Sequence, residues 1–149
     1  MIQRKQTVFL LIAIIIVSTQ FFIPFQTFTY NNVDWSICLL TGYSSEITNS
    51  NLTILFSLNT LTLLLIGFII FLYKKRVLQY KLANFTVLLN MLMIGLFFYL
   101  SYIKDNLMGS SIHYQIGSFL PILSAFFCYL AALHIKKDEE LVRSADRIR

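Results

Sequence analysis

Read for polarity alone, the chain consists of four long apolar stretches separated by three polar intervals and closed by a charged tail. The stretches at 8–25, 54–73, 82–102 and 115–135 contain no Asp, Glu, Lys or Arg. Each is about twenty residues long, and a helix rising about 1.5 Å per residue carries that length across the roughly 30 Å of a bilayer's hydrocarbon core. The pattern predicts an all-α membrane protein, a bundle of four transmembrane helices in a single domain spanning 1–149. Aromatic residues mark the predicted boundaries: Tyr73 and Tyr80 on one side, and Phe28, Tyr30, Trp35, Tyr102 and Tyr114 on the other.

The polar intervals are less eloquent. The largest, 26–53, begins aromatic and ends polar, with Thr41-Gly42-Tyr43-Ser44-Ser45 as a turn-like run. A short strand pair and a segment lying against the membrane are both compatible with it. The 74–81 connection is short, so the second and third helices should form an antiparallel hairpin. Asn106, Gly109, Ser110 and Ser111 make 103–113 read as loop.

Within the fourth stretch, Gly117, Pro121, Ser124, Ala125, Cys128, Ala131 and Ala132 recur at three- and four-residue spacing. Such a face lets membrane helices approach closely, and Pro121 predicts a bend in the outer third of this helix. In the 136–149 tail, a helical projection gathers Leu141, Val142, Ala145 and Ile148 on one side. Glu139, Glu140, Arg143, Asp146 and Arg147 fall on the other, with Glu139 and Arg143 at a favourable i,i+4 spacing. The tail is therefore expected to form a short amphipathic helix, continuing from the last span or folded beside it. It would lie on lipid or dock a partner.

Composition agrees, at 57% hydrophobic residues and a mean hydropathy of +0.71. The formal charge of +5 is informative through its placement. Every base except Lys104 lies before the first stretch, between the second and third, or after the fourth, and the 26–53 interval has Asp34 and Glu46 but no base. This is the positive-inside asymmetry, and it predicts cytoplasmic N- and C-termini. It also directs the basic excess to membrane lipids and argues against a nucleic-acid partner. Arg4 and Lys5 ahead of an apolar core mimic a signal peptide. However, Ser18-Thr19-Gln20-Phe21-Phe22-Ile23 offers no small-x-small cleavage site, so the stretch is expected to remain as the first span.

Few residues suggest chemistry. His113 and His134 bracket the fourth stretch about 31 Å apart on a helix, too far to share a metal. Cys38 lies outside the spans and Cys128 inside one, with no Cys-x-x-Cys motif. No cofactor or metal is expected. The spans hold no carboxylate of the kind that proton- or cation-coupled transport generally needs, and no internal repeat suggests a duplicated transporter. Asp34, Glu46, Asp105 and His113 could supply acid–base chemistry outside, although nothing in their spacing asks for it. Gln20, Asn59 and Asn90 stand out as polar residues deep in the spans. Gln20 and Asn59 fall at similar depth and could hydrogen-bond to each other, and Asn90 must face protein or a cavity.

Two terminal segments carry a family resemblance: Met1-Ile2-Gln3-Arg4-Lys5-Gln6-Thr7, and Lys137-Asp138-Glu139-Glu140-Leu141-Val142-Arg143-Ser144-Ala145-Asp146-Arg147-Ile148-Arg149. Between them lie Arg76-x-x-Gln79 and Asn90. Over its whole length the chain resembles the domain-of-unknown-function 4293 family, four-span inner-membrane proteins of the Bacteroidetes. Lys5 departs from the family's usual apolar residue. The resemblance implies a Gram-negative inner membrane and a periplasmic 26–53 loop, and it implies no activity.

Because both ends are expected in the cytoplasm, Gln3, Arg4 and Gln6 could meet Asp138, Glu139 or Asp146 in a polar collar. The functional expectation is non-catalytic: an accessory or scaffold subunit of a membrane assembly. It would present Arg4, Asp138, Glu139, Arg143, Asp146 and Arg147 to a protein partner. The alternative is a small oligomeric transporter or channel for lipid or a neutral solute.

Overall fold

The computed structural model describes residues 5–30, 33–39, 49–73, 75–108 and 111–146. It is mostly helical: α1 (Lys5–Thr19), α2 (Asn49–Phe71), α3 (Arg76–Met108) and α4 (Leu120–Asp146). Three strands, β1 (Gln26–Tyr30), β2 (Val33–Ile37) and β3 (Ser111–Tyr114), form an antiparallel sheet in the order β2-β1-β3. Three helices are long and apolar enough to cross a membrane: Leu52–Phe71, Arg76–Ile103 and Ile116–Val142.

The first apolar stretch departs from the expected 8–25 helix. α1 has 15 residues and ends at Thr19, whose hydroxyl donates to the Ile16 carbonyl at 2.7 Å. The chain leaves in a tight turn, with the Phe22 and Ile23 amides both donating to the Thr19 carbonyl at 3.1 Å. Pro24 explains the stop, because it has no amide proton to continue the ladder and disfavours helical geometry at the residue before it.

α3 is longer than its apolar stretch, with 33 residues. It takes up most of the expected 74–81 connection and of the 103–113 loop. The turn to α2 is thereby reduced to 72–75, where the Lys75 amide bonds the Leu72 carbonyl at 3.0 Å. The expected bend at Pro121 is also corrected. A 3-10 turn, Ile116–Phe119, precedes α4, so Pro121 sits in the first turn of that helix, where its missing amide proton interrupts no bond.

Of the two readings left open for 26–53, the strand pair is the one present, and β3, from the interval read as loop, extends it to a sheet outside the all-α class. β1 and β2 pair as Gln26↔Ile37, Thr27↔Ser36, Phe28↔Trp35, Thr29↔Asp34 and Tyr30↔Val33. β3 adds to the other edge of β1 with Gln26↔Tyr114, Thr27↔His113, Phe28↔Ile112 and Thr29↔Ser111. Rows of the register alternate in polarity: Thr27, Ser36 and His113 make one, and Phe28, Trp35 and Ile112 the next. That period-two pattern suits a sheet with one side on protein and one on water. The Gln115 amide extends the pairing to the Phe25 carbonyl at 3.0 Å.

The core has two parts. Near one end, Leu10, Ala13 and Val17 of α1 pack with Ile66 and Ile69 of α2, Ala83 of α3, and Cys128, Ala131, Ala132 and Ile135 of α4. Near the sheet, Phe25, Leu39, Leu55, Met93 and Phe97 form the second cluster. The small face of α4 behaves as its spacing predicts: Gly117, Pro121, Ser124, Ala125, Cys128, Ala131 and Ala132 are all buried, and α4 packs most extensively on α3 and α1. Outward, the helices expose large apolar side chains such as Ile15, Leu64, Leu88 and Phe126. A surface of that character fits lipid rather than water.

Candidate functional site

Polar side chains inside the bundle fall into three groups. At mid-height, Asn90 is 1% exposed. Its Nδ2 donates to the Thr86 carbonyl at 2.9 Å, and its Oδ1 accepts from Ser124 Oγ on α4. Ser124 Oγ also lies 2.9 Å from the Pro121 carbonyl, so its single proton serves two acceptors in turn. Asn90 thus faces protein, as its depth demands, and joins α3 to α4.

Nearer the sheet, Gln20 and Asn59 are both fully buried but do not bond to each other. Asn59 Nδ2 instead donates to the Val17 carbonyl at 3.3 Å. That carbonyl lies in the last turn of α1, where helix acceptors lack intrahelical partners. Neither amide atom of Gln20 has a partner, nor does Asn59 Oδ1. The end of α1 at Thr19 therefore changes the pairing expected from depth alone. A buried amide group left without a hydrogen bond costs about 1–3 kcal/mol.

At the other end, the Phe9 ring stacks on His134 at 5.2 Å and 13°. Arg76 Nη1 donates to the Asp138 carbonyl at 3.1 Å, and Gln79 Nε2 to the Ile69 carbonyl at 3.0 Å. The start of α1, the α2–α3 turn and the far part of α4 consequently share one end of the molecule, and the sheet occupies the opposite end. Lys5, Lys75, Arg76, Lys81, Lys136 and Lys137 all belong to the first of these ends.

The tail is not a separate helix. α4 runs unbroken to Asp146, about 16 Å beyond Ile135 at 1.5 Å per residue. Leu141 and Val142 are exposed there at 67% and 44%. An exposed Lys136–Glu140 ion pair at 3.9 Å adds little stability.

For the expected collar, Gln6 is buried, and the Asp138 carbonyl accepts from Arg76. Gln3, Arg4, Glu46 and Arg147 lie outside the described residues, as do the side chains of Asp34, Asp105, Arg143 and Asp146. Glu139 is half-buried and Glu140 exposed. His113 is exposed, in register with Thr27. Both cysteines are buried and free. Among the described residues, no group of three or more His, Cys, Asp or Glu could hold a metal ion.

Further polar links went unnoticed in the sequence. Ser101 Oγ lies 2.7 Å from Gln26 Oε1, and Gln115 Nε2 donates to Thr27 Oγ1 at 3.2 Å. Together they bind the sheet to α3 and to the start of the fourth apolar segment. Glutamines flanking apolar stretches were the only available signal.

The family model described as a domain of unknown function (DUF4293) matches residues 2–148. The chain belongs to that family. Within this DUF4293 chain, the residues between the two terminal segments of the resemblance have structural tasks: Arg76 and Gln79 tie the hairpin turn to α4 and α2, and Asn90 ties α3 to α4. No curated protein and no solved structure matches the chain.

Proposed function

We propose that the chain is a four-span protein of a bacterial inner membrane, with both termini in the cytoplasm, serving as a non-catalytic accessory or scaffold subunit. Support for a fourth crossing comes from the heights reached by α1 and α4. Phe9 lies opposite His134 and Pro24 opposite Gly117. Those partners are 17 residues apart along α4 and the 3-10 turn that precedes it, so α1 and its terminal turn climb roughly 25 Å. The bases gathered at one end support the orientation through the positive-inside rule. The family resemblance points to the Bacteroidetes and a periplasmic sheet.

The observation that carries the subunit reading is the unbroken continuation of α4 to Asp146 with Leu141 and Val142 exposed. The apolar helix Ile116–Val142 has 27 residues, about 40 Å against a hydrocarbon core of roughly 30 Å, so its Leu141–Val142 end extends past the core. Apolar residues on such a projection favour a protein partner over a lipid surface. Asp138, Glu139, Arg143, Asp146 and Arg147 would set the polar border of that contact, with Arg4 beside them.

The alternative, a small oligomeric transporter or channel for lipid or a neutral solute, draws on one feature: the unpartnered amide of Gln20 beside Asn59.

Gentle extraction of the tagged protein from its native membrane, followed by native mass spectrometry, tests the choice. A protein partner at fixed stoichiometry, lost on Leu141→Glu, is expected. A homo-oligomer carrying one retained neutral solute, displaced by Gln20→Leu, would overturn the subunit reading in favour of transport.

A further inference from the structure

The turn between α2 and α3 borders an open groove of about 430 Å³, lined by Lys75, Arg76, Val77, Leu78 and Lys81. Three of its five residues are cationic and none is acidic, and the wall itself is mostly apolar. Among the described residues, neither Lys75 nor Lys81 has an ion-pair partner, and the first turn of α3 contains no acid. The first bond of α3 is from the Gln79 amide to the Lys75 carbonyl at 2.9 Å. The amides of Arg76, Val77 and Leu78 therefore precede the helical ladder, at the end where a helix favours negative charge. Arg76 is held in place by its 3.1 Å bond to the Asp138 carbonyl.

The apolar members of the groove decide what kind of anion. Val77 and Leu78 are 53% and 43% exposed, and Phe71, at the end of α2, is 79% exposed. A soluble anion gains nothing from these side chains. A lipid brings a phosphate for the cations and glycerol and acyl carbons for the apolar wall, both at the boundary where a membrane-length helix pair turns.

We propose that this groove is a specific site for the phosphate headgroup of an anionic phospholipid. Lys75, Lys81 and the start of α3 contact the phosphate, and Arg76 links the site to α4. The proposal rests on the membrane-spanning reading above. It is tested on the isolated full chain, so it stands or falls independently of any protein partner.

The delipidated protein is titrated with phosphatidylglycerol and with phosphatidylcholine of the same acyl chains, and bound lipid is counted by native mass spectrometry. Two variants accompany it: Lys75→Gln/Lys81→Gln, and Lys136→Gln/Lys137→Gln, which removes equal charge from α4. The wild type should hold phosphatidylglycerol about ten-fold tighter than phosphatidylcholine. The 75/81 variant should lose that preference with an unchanged thermal midpoint, and the 136/137 variant should keep it. Equal affinity for the two lipids, or equal loss in both variants, overturns a specific headgroup site. Displacement of the lipid by millimolar inorganic phosphate would assign the groove to a soluble anion and overturn the lipid as its ligand.

Discussion

At the residue scale, Gly117 is where two backbones meet most closely. A methyl group built there would contact the Pro24 carbonyl, 2.8 Å from its carbon. The obstacle is backbone at the end of α1's terminal turn, so relief requires moving the whole turn against α4. Gly117→Ala should destabilise the protein by about 1–3 kcal/mol, as overpacking does. Gly67 and Gly95 meet nothing within 4 Å of an added Cβ, so Gly95→Ala should be neutral or gain up to about 1 kcal/mol in helix propensity. Thermal unfolding in one detergent separates the two: a midpoint lowered by Gly117→Ala but not by Gly95→Ala is expected. Equal midpoints would mean that Pro24 does not rest on Gly117. Buried hydroxyls elsewhere in the bundle are easier to accommodate. Thr86 returns its hydroxyl to the Ala83 carbonyl at 2.7 Å, which satisfies the donor without a second helix.

At the element scale, α4 unites what the polarity pattern divides. Hydropathy changes sharply after Ile135, but backbone bonding ignores side-chain polarity, and 136–146 contains good helix formers without Gly or Pro. Spin labels at Leu123→Cys and Leu141→Cys, both exposed positions, report this continuity. A continuous helix separates them by about 27 Å along its axis. A narrow distribution near that value is expected from pulsed dipolar spectroscopy, whereas a tail folded back beside the bundle would shorten it markedly. The sheet also unites separate parts of the chain, because β3 joins the interval before α4 to the one before α2, and Gln26 and Gln115 fasten both to the helices.

For the whole molecule, the arrangement of ends makes an accessible prediction. Ser36 is exposed on β2, while Lys5 and Glu140 are exposed at the opposite end. In intact cells, Ser36→Cys should react with a membrane-impermeant maleimide, and Lys5→Cys and Glu140→Cys only after permeabilisation. Reversed labelling would overturn the orientation. Labelling of Lys5→Cys and Glu140→Cys from opposite sides would mean that α1 does not cross.

The helical, membrane-length character of the chain, the small packing face of its fourth apolar stretch, the burial of Gln20, Asn59 and Asn90, and the family are all legible along the chain. Each follows from properties that are local and additive: hydropathy summed over a window, residue size at helical spacing, and the cost of leaving an amide in hydrocarbon. The strand hairpin was half legible, since Gln26-Thr27-Phe28-Thr29-Tyr30 and Val33-Asp34-Trp35-Ser36-Ile37 alternate in polarity around Asn31-Asn32. Only the tertiary structure decided that Asn59 turns to the Val17 carbonyl and not to Gln20, that Ser124 serves Asn90, and that Arg76 reaches Asp138. Those choices depend on where α1 stops and which helices lie within about 3 Å of each donor, and hydropathy along one chain carries no information about its neighbours in space.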